Sequence, residues 1–468
     1  MFPSTVFSER NVLPKPRPIV IVANRLPVQR VGDRLVENAG GLVTALVPAL
    51  KTRGGAWVGW SGSSQTAARS FKYENFRIQP VQISDAEIEG FYHQLSNRTL
   101  WPLYHDAIRT PEFDHSWWRP YVVVNHRFAK ATASVAPRNG LVWIHDYHLQ
   151  LVPAMLRAMR PDLRIGFFLH VPFPPEELFA WLPWRERILE GLLGADVVGF
   201  QTQASARNFS RAAREYSPAE GSDSELQFDR RRIKVATYPI SIDFNWFADA
   251  AATPEAIHDA TQLRRQMGAT RKILLSVDRL DYTKGIDLRL LAFEALLKRR
   301  RALANECVFI QIASPSREPV HEYAQMRIRI EQLVGRINGE FSEPGKVAVH
   351  YFRRGFTREQ LAPYYRAADV MIVTPLRDGM NLVAKEFVAT RSDYSGVLVL
   401  SEFAGAAREM RQAIIVNPRN IEGMADAFET ALKMPKRDAR HRMAILRTVV
   451  RRHDVFEWAD DFLRALAG

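Results

Sequence analysis

A single cysteine, Cys307, stands in 468 residues, so no intramolecular disulfide can form and a four-cysteine zinc site is excluded. Its setting, Asn305-Glu306-Cys307-Val308-Phe309-Ile310, reads as a buried strand thiol. No apolar run approaches the ~20 residues that span a bilayer, and the stretch from Met1 to Arg17 lacks the apolar middle of a signal peptide. A cytoplasmic location is therefore expected. No fixed short repeat recurs along the chain, which excludes a solenoid. Acidic residues are in deficit, Asp+Glu 51 against Lys+Arg 64, leaving a formal net charge of +13. That excess admits nucleic acid, an anionic membrane surface or anionic small substrates as partners. The basic runs Lys298-Arg299-Arg300-Arg301 and Arg230-Arg231-Arg232 carry no interleaved aromatics, which argues against a nucleic-acid platform. The first closes a predicted helix, where cations suit the negative end of the dipole. What remains is ordinary globular usage, 47% hydrophobic and 25% charged, and at ~150 residues per domain the length suits two or three domains.

The stretch from Met1 to Pro18 holds four prolines among polar residues and reads as a tail. Short apolar runs follow at Ile19–Ala23, Leu141–Ile144, Ile165–Leu169 and Val197–Phe200, separated by helix-period segments over Leu151–Met159, Trp184–Leu193 and Ser205–Tyr216. Continuously apolar runs alternating with helices predict a parallel sheet covered on both faces. Tyr216–Ser224 reads as a surface loop, and Tyr238–Asp243 as the exit from this domain. A second series runs through Lys272–Val277, Val308–Ala313, Val347–Phe352, Val370–Thr374, Val397–Leu400 and Ile414–Val416. The expected α/β architecture is thus a tail over 1–18, two Rossmann-like doubly wound domains over 19–243 and 244–452, and a final helix over 453–468. That helix carries Phe456, Trp458, Phe462 and Leu466, a stripe expected to pack back on the first domain. Two doubly wound domains facing each other place the carboxyl ends of both sheets around a shared cleft.

Chemistry-bearing residues gather where those strands end. Asn24-Arg25 closes the first run, and guanidinium offers a planar fork that matches phosphate oxygens. The pair Gly40-Gly41 opens a helix and would let backbone N–H groups approach a phosphate, although a plain tight turn is the more frequent explanation for two glycines. Arg279 and Lys284 lie on one loop after a strand, with Asp278 and Asp281 as the alternative, solvated partners. Arg317 again follows a strand. Cations repeated at strand ends suggest a site for two phosphorylated ligands. In Asp378-Gly379-Met380-Asn381-Leu382-Val383-Ala384-Lys385-Glu386 the free N–H groups at a helix start suit diphosphate or sugar hydroxyls, and the two acids suit hydroxyl pairs. A dipole-matched Asp at a helix start is the other explanation. His145, Asp146 and His148 are too close in sequence to reach one ion from a strand end. No Asp-x-Asp triplet occurs, so positive side chains and helix dipoles are expected to stabilise a leaving diphosphate directly. Trp57, Trp60, Tyr92 and Trp101 are candidates for the floor of a sugar pocket, although core packing is the commoner role for any single tryptophan.

Together with Trp57-Val58-Gly59-Trp60-Ser61-Gly62, His145–His148, and Phe168-Leu169-His170-Val171-Pro172-Phe173-Pro174, these segments resemble the trehalose-6-phosphate synthases, a retaining glycosyltransferase family of the GT-B fold. The likeness runs from about Val20 to the carboxyl end. It implies transfer of glucose from a nucleoside-diphosphate glucose to glucose 6-phosphate, by front-face attack in which the leaving phosphate takes the acceptor's proton. By the family pattern Arg25, Tyr92 and Arg317 would hold the acceptor phosphate, Asp146 an acceptor hydroxyl, and Trp101 would shape the choice of anomer. Arg279 and Lys284 would grip the donor diphosphate with Gly40, Gly41 and the backbone at Leu382 and Val383. Glu386 would take the ribose hydroxyls, Asp378 and His170 the transferred glucose, and Phe356 the base region. The catalytic set is then Arg279, Lys284, His170 and Asp378, with no cofactor and no metal. The stretch Tyr351–Phe356 leaves UDP, GDP and ADP open. The resemblance leaves two rivals: a synthase using another phosphorylated acceptor such as glycerol 3-phosphate, and a catalytically silent sugar-phosphate sensor. Expected partners are the small-molecule substrates and further copies of the chain as a homo-oligomer, with no nucleic acid and no membrane.

Overall fold

Apolar runs rich in β-branched residues become buried parallel strands when helices cover both faces, and the chain builds two such sheets. The computed structural model describes residues 18–31, 34–37, 41–64, 69–315 and 321–468. The expected tail, up to residue 17, lies outside them. In chain order the first half contributes β1 (Ile19–Arg25), β2 (Val28–Val31), β3 (Arg34–Glu37), β4 (Gly55–Trp60), β5 (Phe71–Tyr73) and β6 (Phe76–Pro80). There follow β7 (Leu141–His145), β8 (Arg164–Leu169), β9 (Val197–Phe200), β10 (Glu220–Gly221), β11 (Glu225–Phe228) and β12 (Arg231–Thr237). Except for the β2–β3 hairpin they form one sheet in the order β10-β11-β12-β9-β8-β7-β1-β4-β6-β5. Its middle is parallel: Val20 of β1 lies opposite both Ala56 of β4 and Val142 of β7. The edges turn antiparallel through β5 and through β10 and β11. The segment expected as a loop over Tyr216–Ser224 thus includes a short edge strand.

The second half supplies β13 (Lys272–Arg279), β14 (Cys307–Ser314), β15 (Val349–Phe352), β16 (Val370–Val373), β17 (Val397–Ser401) and β18 (Ile414–Val416). They pair in the order β15-β14-β13-β16-β17-β18, all parallel. Cys307 is buried at the start of β14, where desolvation pushes its thiol up to about 12. In each sheet the strand order reverses beside the first strand, between β1 and β7 and between β13 and β16. Ligands of such sheets sit outside the carboxyl ends at that reversal. Arg25, His145 and Arg279 are the last residues of β1, β7 and β13.

The chain crosses between the halves twice. After β12 it runs through Tyr238 to Asp243, whose carboxylate accepts from Trp246 N–H at 3.0 Å and starts the helix Phe244–Ala252. It returns at the helix Val455–Ala467, where Val455 N–H donates to Ile242 O at 3.0 Å and Trp458 Nε1 to Tyr238 O at 3.1 Å. Phe462 of this helix stacks on Trp143 with ring centroids 4.2 Å apart. It can do so because Gly166 has no side chain: a Cβ there would lie 2.6 Å from the Phe462 ring. Full burial of that ring contributes about 1.5–3 kcal/mol. Among the described residues no helix is long and apolar enough to cross a membrane.

Candidate functional site

Two cavities of about 620 Å³ each open between the sheets, and both are lined by Leu42, Asp146, His170, Arg279, Lys284 and Asp378. The first extends to Arg25, Tyr92 and Trp101, all from the first half. The second extends to Leu382, Val383, Glu386, Arg358 and Tyr365 in the second half. Two ligands could therefore meet at the shared residues.

At the far end of the first cavity, the Arg25 guanidinium lies 4.2 Å from the Trp60 ring centroid and 5.4 Å from that of Tyr92. Trp57 Nε1 donates to the Arg25 carbonyl at 3.0 Å and so holds the end of β1. Tyr92 stacks on His148 at 5.7 Å. Tyr92 lies within a 13-residue π-helical stretch, Ile88–Leu100, which leads directly into the helix Trp101–Tyr104. Trp101 is buried, and the Arg279 guanidinium of the opposite half sits 5.5 Å over its ring. An arginine on an aromatic face across the cleft links the two halves without closing off the guanidinium's own N–H groups.

His105, which sequence reasoning passed over, also lines the first cavity. It stands four residues after Trp101, its ring 4.1 Å away, with Nδ1 2.8 Å from the Trp101 carbonyl. That spacing is the one signal that could have found it. Burial lowers its pKa to about 4, against a smaller rise from the Trp101 carbonyl. The unfolded chain then binds a proton between about pH 4 and 6.5 that the folded chain refuses, so this residue costs stability as pH falls through that window. In urea titrations His105→Asn should gain on the parent by about 2 kcal/mol between pH 7.5 and 5. Parallel pH curves would contradict a buried neutral imidazole.

Asp146 turns the chain after β7 with a positive φ of 74°, a conformation that costs a non-glycine residue of order 1–3 kcal/mol and often marks a site. Its Oδ1 accepts from His170 N–H at 3.3 Å, which ties the ends of β7 and β8 together. His145 and His148 do not converge with it. His145 turns to His170, with Nδ1 3.1 Å from His170 Nε2, while His148 packs between aromatic rings. Among the described residues no group of three or more His, Cys, Asp or Glu side chains could hold a metal ion.

The cationic side of the junction is built on β13 and the loop after it. Asp281 caps a short turn by accepting from Thr283 N–H at 3.0 Å, and Lys284 ends that turn. The Lys284 ammonium lies 2.5 Å from Asp378 Oδ2. Burial alone would raise the Asp378 carboxyl, but Lys284 beside it, with His105 and Arg279 further off, holds it below the ordinary carboxylate range. Beneath the loop Arg289 is wholly buried. It donates to Lys284 O at 3.0 Å, Thr374 Oγ1 at 2.9 Å, Gln311 Oε1 at 3.1 Å and Asp278 Oδ2 at 2.6 Å. Asp278, the alternative partner weighed for Arg279, is thus committed to Arg289.

Gly379 packs so close to the first half that a Cβ would lie 2.0 Å from His170 O. Asn381 follows with a φ of 73°, and the helix Leu382–Thr390 then begins with its N–H groups toward the second cavity's lining at Leu382 and Val383. Glu386 accepts from Tyr365 O–H at 2.8 Å, and burial raises its carboxyl despite that bond. Tyr365 is a second residue that the sequence did not disclose. Phe356 lines neither cavity; it packs edge-on to Tyr364 at 5.4 Å with the Arg354 guanidinium 4.7 Å over it, two residues from the lining residue Arg358. Gly41 opens the helix Gly41–Arg53 beside Leu42. Gly40 and Arg317 lie outside the described residues.

The family model for glycosyltransferase family 20 matches residues 17–468. A trehalose-6-phosphate synthase from Mycobacterium sp. (strain KMS) is 50% identical over 462 residues, covering 96% of this chain and 94% of that protein. Among solved structures, an α,α-trehalose-phosphate synthase (UDP-forming) from Burkholderia xenovorans in complex with glucose-6-phosphate is 36% identical with a TM-score of 0.89, covering 96% of this chain and 100% of that one. A trehalose-6-phosphate synthase analysed with bisubstrate glycomimetics for glycosyl transfer with retention is 35% identical with a TM-score of 0.88, covering 96% and 98%.

Proposed function

The chain belongs to glycosyltransferase family 20, and from that premise we propose that it transfers glucose from a nucleoside-diphosphate glucose to glucose 6-phosphate. The product is α,α-1,1-linked trehalose 6-phosphate, formed with retention of configuration and without a metal ion in the transfer step. One observation carries the reading: a cavity ending at Arg25 and a cavity ending at Glu386 meet at Asp146, His170, Arg279, Lys284 and Asp378. The acceptor's phosphate lies toward Arg25 and Tyr92, its hydroxyls toward Asp146 and Trp101. The donor's ribose lies toward Glu386 and its diphosphate over Leu382, Val383, Arg279 and Lys284. Its sugar reaches Asp378 and His170.

Retention by double displacement needs a carboxylate as nucleophile. Asp378 is held by Lys284 and by Asn381 Nδ2 at 3.2 Å, and Asp146 by the backbone of His170. Those contacts suit the two acids to holding hydroxyls, and the reading adopted is front-face attack. The departing phosphate oxygen takes the acceptor's proton on the same face, while Arg279, Lys284 and the helix amides stabilise the charge that builds on the diphosphate. The two cations take the charge-neutralising part that a divalent ion plays in metal-dependent transfer.

The test is a donor panel of UDP-, GDP- and ADP-glucose with glucose 6-phosphate under excess chelator, following nucleotide release and product stereochemistry. The structural relative's UDP-forming reaction makes UDP-glucose the first donor to try. One nucleotide per disaccharide phosphate, unaffected by chelation, is the expected result. Loss of transfer that added magnesium restores would overturn the metal-free step. Transfer to glycerol 3-phosphate but not to glucose 6-phosphate would overturn the acceptor.

A further inference from the structure

His145 is fully buried at the end of β7, yet one of its ring nitrogens bonds to a residue that lines both cavities. Two histidine nitrogens 3.1 Å apart share one proton between them when both rings are neutral. Burial holds both rings far below their ordinary range, His170 at about 3 and His145 well below its usual value with His170 adding to the effect. Two arrangements are then open. In one, His170 Nε2–H donates to His145 Nδ1, which leaves the proton of His145 on Nε2. That Nε2 is buried with no hydrogen-bond partner among the described residues. In the other, His145 Nδ1–H donates to His170 Nε2, and the buried His145 Nε2 is only a bare lone pair. Buried N–H groups without an acceptor are rarer than acceptors without a donor, so the second arrangement is favoured.

The consequence falls on His170. With Nε2 accepting, its proton sits on Nδ1, which is not among the buried unpaired atoms and has no protein partner among the described residues. We propose that His145 is a positioning residue that fixes His170 as a neutral Nδ1–H donor to a hydroxyl of the transferred sugar. This rests on the transfer reaction proposed above. It assigns His170 as a hydrogen-bond donor with no part as a general base.

The test has two arms. In the ligand-free wild-type protein labelled with ¹⁵N-histidine, long-range proton–nitrogen correlation at neutral pH reads each tautomer, with His170→Gln and His145→Phe spectra giving the assignment. His170 protonated on Nδ1 is expected; a proton on His170 Nε2 overturns the proposal. In the second arm His145→Phe keeps the ring volume and removes the donor, while His145→Asn returns an N–H near the place of Nδ1. The Phe variant should lower kcat about tenfold with KM for glucose 6-phosphate within about twofold of wild type, and Asn should restore most of the loss. A folded Phe variant with unchanged kcat, or a folded Asn variant no better than Phe, overturns the proposal. If the Phe variant does not fold, the wild-type tautomer decides alone. Wild-type protein that makes no disaccharide phosphate from any donor would sink the transfer reading and leave the tautomer result standing.

Discussion

Replacing Lys284 by alanine lowers turnover at saturating substrates by about 10²–10³-fold, the usual cost of removing a preorganised donor aimed at developing charge. Lys284 lines both cavities and is nearly buried, so its charge acts in a medium where solvent screens it little. A part of the loss will come from Asp378, which forfeits its ammonium partner. The two contributions separate by experiment. Lost diphosphate stabilisation lowers kcat and leaves KM for glucose 6-phosphate in place, whereas a displaced Asp378 weakens donor binding as well. Near-normal turnover of Lys284→Ala would mean that Arg279 and the amides at Leu382 and Val383 carry the diphosphate's charge by themselves.

Replacing Arg289 by methionine destabilises the fold by about 3–5 kcal/mol, because it strands a carboxylate inside the second sheet. Arg289 and Asp278 are both buried and 2.6 Å apart. Burial raises the Asp278 carboxyl even with Arg289 countering it, so without the guanidinium the acid must take up a proton or draw in water. Urea denaturation should show most of the loss recovered in Arg289→Met/Asp278→Asn, since removing both charges spares the unpaired one. The single variant should also lose activity: Arg289 holds the carbonyl of Lys284 and the hydroxyl of Thr374, which fixes the loop bearing one cation against the strand end that precedes Asp378. A loss under about 1 kcal/mol would show that water replaces those contacts without strain.

What the sequence disclosed follows from which elements have a period of their own. The parallel strands β1, β7, β8 and β9 and all six of the second sheet stand out as largely apolar runs, because burial on both faces leaves few polar positions. By contrast β4 was legible only as a cluster of aromatics. Its Trp57 does line the first cavity, but Trp60 lies in the first-half core beneath Arg25. The edge β10–β12, which turns antiparallel beyond β12, carries exposed polar residues, as does the turn before β12, with two of the three in the Arg230–Arg232 run exposed. Its middle member, Arg231, reads as surface charge and in fact donates to the carbonyls of Leu193 and Ala195. The π-helical stretch under Tyr92 has no sequence period to announce it. At the site, cations after apolar runs were visible because strand ends are visible. Tyr365 and Arg289 were not, since each reaches its place through packing between separate segments, and His105 offered only its four-residue spacing from Trp101.

The return helix Val455–Ala467 has a consequence for how the molecule is made. A domain ordinarily folds as it leaves the ribosome, amino-terminal part first. Here the face of β7, β8 and β9 around Trp143, Gly166 and Gly199 receives Phe462 and Leu466 only when translation has passed them. The first sheet therefore keeps an apolar flank uncovered until the second half has been made, and its completion waits for that half to be built.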